Sequence, residues 1–277
     1  MEASPLIEVR NVSFRYGHTK MALAGVNLVI PAGMRVALVG SNGAGKSTLF
    51  LHLNAILRPA HGQLLFRGQP YQYNRQFVGA LRQKVGLVFQ DPDTQLFADN
   101  VLDDVMFGPV NLELTVAEAR KRAMDALTSV QMQDCADSPT HFLSHGQKKR
   151  VAIAGILAMD PDVMIMDEPT AGLDYPSMVR LRETINELYR AGKTLLIATH
   201  DIDWAWEWAD LVYVMAKGQV IAGGRPEDIL NCEEHLQLGF SRPIVGKIYS
   251  SLVETAVDRQ QKVPRNIDDL LAVLRSR

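Results

Sequence analysis

In its first fifth the chain runs Gly40-Ser41-Asn42-Gly43-Ala44-Gly45-Lys46-Ser47-Thr48. This spacing fits G-x-x-x-x-G-K-[ST], a loop that cradles phosphate groups. Arg35–Val39 reads as a buried strand entering it, and Leu49–Leu57 as part of the helix leaving it. A strand–loop–helix unit of this kind points to an α/β core. The glycines let the backbone turn inward, so that successive N–H groups form an anion-binding nest. The helix begins near Lys46, with its unsatisfied N–H groups and positive dipole end facing the same anion. Lys46 is then placed for the β- and γ-phosphates, and the Ser47 hydroxyl for Mg²⁺. A chance glycine-rich turn would need neither the strand before it nor the helix after it. The loop is a nucleotide site.

The remaining bulk properties narrow the setting. At 277 residues the chain suits one large α/β domain with an appendage, or two modest domains. A net charge of −2 speaks against nucleic acid as the main partner, because phosphate backbones favour a basic surface. Cys135 and Cys232 lie far apart in no metal-ligand spacing, and the seven histidines are scattered, so neither type predicts a metal centre. The opening residues carry neither the basic nor the apolar region of a secretory signal. No apolar run approaches the roughly 20 residues a spanning helix needs, Val151–Met159 being the longest. A chain of this kind is expected at a membrane only through a partner.

Ahead of the loop, residues 6–14 and 24–30 read as strands, with Arg15-Tyr16-Gly17 as a turn. Tyr16 is placed to stack on a base, and is equally well explained as a packing tyrosine. Residues 63–67 and 85–89 are two further strands. The second runs into Gln90, a polar group where α/β proteins put catalytic side chains, although a strand-ending turn explains it too. From about 99 to 160 the pattern turns helical. Thr115 and Glu118 form a capping box, with Val116, Ala119, Ala123, Leu127 and Val130 on one apolar face. Ser144 and Gln147 form a second capping box, opening a helix over 148–159; Gly146 in its first turn leaves room for a phosphate to approach.

Residues 162–166 read as a buried parallel strand ending in Asp167-Glu168. Two adjacent carboxylates after such a strand are costly to bury without a partner or a task. Beside a phosphate loop the task is to hold Mg²⁺ (Asp167) and to orient or deprotonate the attacking water (Glu168). A helix over 177–190 turns Met178, Leu181, Ile185 and Leu188 inward and stops at Gly192. The strand 194–198 ends at His200, a third polar strand end beside the loop. Trp204 and Trp208 are packing residues on the next helix. Residues 211–215 form the last clear strand, Gly223–Pro226 marks a boundary, and the remainder is helical, with 267–274 amphipathic.

Taken in order, the phosphate loop, Gln90, Leu143-Ser144-His145-Gly146-Gln147, Asp167-Glu168, Ala171-Gly172-Leu173-Asp174 and His200 resemble the nucleotide-binding subunit of an ATP-binding-cassette (ABC) transporter. His145 departs from the glycine usual at its position. The resemblance implies a phosphate-loop NTPase α/β fold over 6–225. That fold has a mostly parallel sheet, an antiparallel β layer and a helical subdomain at about 99–160, and here a C-terminal helical extension at 226–277. It also implies a head-to-tail homodimer binding ATP and Mg²⁺. Each ATP would lie between one protomer's residues 40–48 and the other's Ser144, Gly146 and Gln147. Tyr16 would stack on adenine, Gln90 link Mg²⁺ to the helical subdomain, His200 contact the γ-phosphate and Asp174 couple the two sites.

The run Phe89–Phe97 with Phe107-Gly108-Pro109 resembles the ATPases of energy-coupling-factor importers. Leu51–Asn54 and Tyr73–Gly86 are most similar to the cobalt-importing group, with nickel or vitamin importers as the alternative. In that group the extension helps hold the dimer, and integral membrane subunits are the partners, on the cytoplasmic face. Two other classes are weaker. A soluble cassette protein acting on ribosomes or nucleic acid generally carries two cassettes, long insertions or a basic surface, none of which is here. A nucleotide-binding assembly protein without turnover would lack the base that Glu168 supplies.

Overall fold

The computed structural model describes residues 5–17, 20–232, 241–253 and 263–275. Two sheets organise them. The first consists of β1 (Pro5–Arg15), β2 (Met21–Pro31), β4 (His61–Phe66) and β5 (Gln69–Pro70), in the order β2-β1-β4-β5 and antiparallel throughout. The second consists of β3 (Arg35–Val39), β6 (Val85–Val88), β7 (Val163–Asp167), β8 (Thr194–Thr199), β9 (Leu211–Ala216) and β10 (Gln219–Gly224). Its order is β10-β9-β3-β8-β7-β6, parallel except where β10 pairs with β9.

Strands β7 and β8 are buried along their whole length, as a parallel sheet covered on both faces requires. Side chains alternate between two cores. Val36 and Leu38 of β3 join Val163 and Ile165 of β7 in the core beneath the antiparallel sheet, which also takes Leu49, Phe50 and Leu53. Ala37, Val39, Met164 and Met166 face the opposite core, with Val151 and Ile153. The parallel sheet thus holds the phosphate loop between two packed layers.

Ten α-helices are assigned among the described residues, besides three short 3-10 turns: α1 (Lys46–Leu53), α2 (Arg75–Lys84), α3 (Val101–Asn111), α4 (Val116–Ser129), α5 (His145–Leu157), α6 (Tyr175–Arg190), α7 (Ile202–Trp208), α8 (Pro226–Ile229), α9 (Ile244–Val253) and α10 (Ile267–Arg275). Both expected capping boxes form, at Thr115 and Ser144. Three expectations need correction. Helix α1 stops at Leu53 rather than Leu57, because Ala55 takes a left-handed φ of 54° and Asn54 turns to the carbonyl of Val85. Helix α5 starts at His145, earlier than expected. Val116 is 72% exposed: it is the first residue after the Thr115 cap and precedes the buried face of Ala119, Ala123 and Leu127.

Strand β10 and helix α2 carry short apolar patterns: α2 buries Leu81 and packs the half-buried Phe77 and Val78 on the same core. Residues 233–240, 254–262 and 276–277 of the C-terminal region lie outside the described residues. What is described is fastened to α7: the Trp206 indole N–H donates to the carbonyl of Pro264 at 3.2 Å, and Arg265 donates to the carbonyls of Trp206 and Ala209. Among the described residues no helix is long and apolar enough to cross a membrane.

Candidate nucleotide site

The loop between β3 and α1 is shaped by glycines that nothing larger can replace. A Cβ on Gly45, which begins α1 at φ 107°, would lie 2.6 Å from the carbonyl oxygen of Ala22. One on Gly40 would lie 2.4 Å from that of Met215. Asn42, Gly43, Ala44, Gly45, Lys46, Ser47 and Thr48 line a cleft of about 320 Å³ that Gln90, Asp167 and Glu168 complete. Gly40 and Ser41 contribute from behind. The Lys46 Nζ, 7% exposed, donates to their carbonyls at 2.7 and 3.4 Å and stands 3.8 Å from Glu168 Oε1.

The two carboxylates at the end of β7 are held differently. Asp167 hydrogen-bonds the Ser47 hydroxyl, and burial pushes its carboxyl above the ordinary range against the opposing pull of Ser47, Lys46 and Lys149. Glu168 adopts φ 44° while its backbone N–H donates to Ala198 at 3.0 Å. Its Oε2 accepts from His200 Nδ1 at 2.8 Å, whereas Oε1 is buried with no hydrogen-bond partner, on the side of Lys46. The His200 side chain remains 70% exposed. The Tyr16 hydroxyl lies 3.4 Å from Thr48 Oγ1, with the residue 44% exposed beside the loop.

The structure brings these strand-end residues together and leaves others apart. Ser144, Gly146 and Gln147 do not line the cleft. Ser144 is exposed and caps α5, its Oγ accepting from Gln147 N at 3.3 Å. Asp174 is likewise outside the cleft; it caps α6 by accepting from Ser177 N at 3.0 Å. Gly146 packs against that same turn, since a Cβ there would lie 3.0 Å from Ser177 Oγ.

Two features escaped sequence reasoning. His145, Asp91 and Asp93 bring ligand atoms within 4.8 Å, contrary to the expectation of scattered histidines; all three are exposed, and Asp93 already pairs with Lys148 at 2.6 Å. Lys149, 2% exposed, donates to the carbonyls of Glu168, Pro169 and Ala171. Burial pushes its ammonium down to about 8, against the charges of Glu168, Asp91 and Asp167. The available signal was a lysine three and four residues before Ala152 and Ile153, on a buried helix face.

Comparisons with known proteins agree with this geometry. The ABC transporter family profile matches residues 23–171. The chain is 42% identical over 269 residues to the energy-coupling factor transporter ATP-binding protein EcfA of Carboxydothermus hydrogenoformans, covering 97% of each. It is 46% identical over 232 residues to EcfA of Methanocaldococcus jannaschii, covering 84% of this chain and 83% of that protein. Among solved structures, cbiO1 from Clostridium perfringens, part of the ABC transporter complex cbiONQ, matches with a TM-score of 0.76 at 42% identity over 89% of this chain and 99% of that one. The dimeric bacterial ABC transporter cassette MJ0796 matches at 0.71 with 28% identity, over 79% of this chain and 98% of that one. The chain belongs to the ABC transporter ATPases, among the energy-coupling factor ATP-binding proteins that hydrolyse ATP to energise a membrane importer.

Proposed function

We propose that this ATPase drives a cobalt importer from the cytoplasmic face of the membrane, as a head-to-tail homodimer. The observation that carries the catalytic part is the cleft where residues 42–48 meet Asp167 and Glu168, with Glu168 Oε1 buried, free of hydrogen bonds and 3.8 Å from the Lys46 ammonium. Lys46 and the loop N–H groups bind the β- and γ-phosphates. Ser47, Asp167 and Gln90 would hold Mg²⁺. The fit is supported by the Asp167–Ser47 pair on the cleft wall, whose desolvated carboxylate gains from a hard dication with oxygen ligands. Mg²⁺ supplies neutralisation of the phosphate charge.

Glu168 accepts a proton from the attacking water at Oε1, while His200 holds Oε2 and reaches toward the γ-phosphate. Tyr16 supports adenine. Ser144, Gly146 and Gln147, which miss the chain's own cleft, offer the N-terminus of α5 to the nucleotide of the other protomer. Asp174, at the adjoining turn, relays between the sites. Residues 226–277 strengthen the dimer.

The membrane partner docks in a second cleft of about 580 Å³ between the sheet and the helical layer, lined by Leu87, Phe89, Phe97, Phe107, Ile156 and Met159. Phe97 and Phe107 are 63% and 51% exposed, a pair of rings suited to the apolar face of a cytoplasmic helix. Cobalt rests on the resemblance at Leu51–Asn54 and Tyr73–Gly86, alongside the similarity to a component of cbiONQ.

The test is cobalt and nickel uptake by cells expressing the chain with its membrane subunits. Cobalt uptake is expected to disappear with Glu168→Gln, which stops turnover. It should also disappear with Phe107→Asp, which leaves the ATPase activity of the purified chain intact. Nickel uptake in place of cobalt would reassign the solute, and undiminished uptake with Phe107→Asp would move the docking site elsewhere.

A further inference from the structure

Lys149 carries a charge into the core that none of the roles above uses. It lies in the second turn of α5, the helix that Ser144 caps, and is 2% exposed. The buried neighbours on its face are Ala152 and Ile153, so a methionine or leucine would fill the space without the desolvation of an ammonium. The ammonium is instead fully used. Its three donors reach the carbonyl oxygens of Glu168 at 3.1 Å, Pro169 at 2.9 Å and Ala171 at 2.8 Å. Those carbonyls belong to one turn, in which Glu168 holds a left-handed φ of 44°, a conformation uncommon for a residue with a Cβ.

We propose that Lys149 is a positioning residue that locks the turn aiming the Glu168 carboxylate and ties it to the helix that Ser144 caps. The proposal rests on Glu168 as the base and on the start of α5 as the contact with the other protomer's nucleotide. Its consequence is a rigid link between the two sites. The contact at Ser144–Gln147 and the clamp at Lys149 share one helix, so a nucleotide that seats α5 also seats the base of the same chain. ATP in one site thereby sets the readiness of the other.

Steady-state ATP hydrolysis, binding of a fluorescent ATP analogue and thermal melting are compared for wild type, Lys149→Met, Lys149→Gln and Glu168→Gln. Lys149→Met keeps the stem and removes the donors. A base displaced by about 1 Å should lower kcat about 10- to 100-fold, with KM and analogue affinity within about twofold of wild type. Lys149→Gln, which retains two donors, should recover part of the loss. A folded Lys149→Met with wild-type kcat, while Glu168→Gln is inactive, overturns the clamp and spares the base. A parallel loss of kcat, affinity and melting temperature in both lysine variants also overturns it, because that is loosened packing. A fully active Glu168→Gln sinks the underlying reading of the base instead. If Lys149→Met does not fold, Lys149→Gln is judged by the same split between kcat and KM.

Discussion

Glu168→Gln is expected to lower the turnover number about 10²- to 10⁴-fold while ATP still binds, because only the proton acceptor is lost. The geometry favours a clean effect. Glu168 is 6% exposed, its Oε2 is held by His200, and the backbone N–H is tied to Ala198, so the amide should keep the shape of the site. Oε1 has no hydrogen-bond partner that the substitution would break. With hydrolysis stopped, nucleotide bridges the phosphate loop of one protomer and the α5 start of the other without being consumed. Size exclusion with ATP and Mg²⁺ should then show a dimer that wild type holds only briefly. A variant that hydrolyses ATP normally, or remains monomeric with ATP, would contradict the assignment.

Lys46→Ala should weaken ATP binding about 10- to 100-fold, the worth of a hydrogen-bonded charge to a phosphate in a partly desolvated site. Lys46 rests on the carbonyls of Gly40 and Ser41, already pointing along the loop, so little ordering is needed when phosphate arrives. A fluorescent nucleotide titration measures the loss directly. The same change leaves the Glu168 carboxylate, 3.8 Å away and buried, without its nearby cation. Some loss of stability should therefore accompany the loss of affinity. Unchanged affinity would refute the phosphate role of Lys46.

Much of this was legible before any coordinates. Residues 40–48, with a strand before and a helix after, set the fold class, and Gln90, Asp167 and His200 each stand at the carboxyl end of a buried strand whose apolar run is easy to read. Parallel order then carries those ends to one edge of the sheet. What was hidden lacked a local signal. Helix α2 offers only one short apolar stripe, Phe77, Val78 and Leu81, amid arginine, glutamine and lysine, and β10 is an antiparallel edge strand that owes its place to β9. Val116 fits a helical period yet lies at a helix start, where the surface has not yet closed over it. The clamp by Lys149 joins positions about twenty residues apart through backbone carbonyls, which no side-chain pattern records.

The separation of Ser144 from the chain's own cleft makes one mixing experiment decisive for the head-to-tail account. Lys46→Ala spoils a protomer's phosphate loop. Ser144→Asp keeps an equally good helix cap and sets a carboxylate against the other protomer's phosphates. Each variant alone should be nearly inactive. Mixed, they form dimers in which one site pairs an intact loop with an intact α5 start. ATPase activity should then rise above that of either variant alone, with about a quarter of the wild-type rate as its ceiling, since half of the dimers are mixed, each has one good site, and coupling to the spoiled site lowers the turnover of the good one. A mixture as inactive as its components would contradict a site shared between protomers.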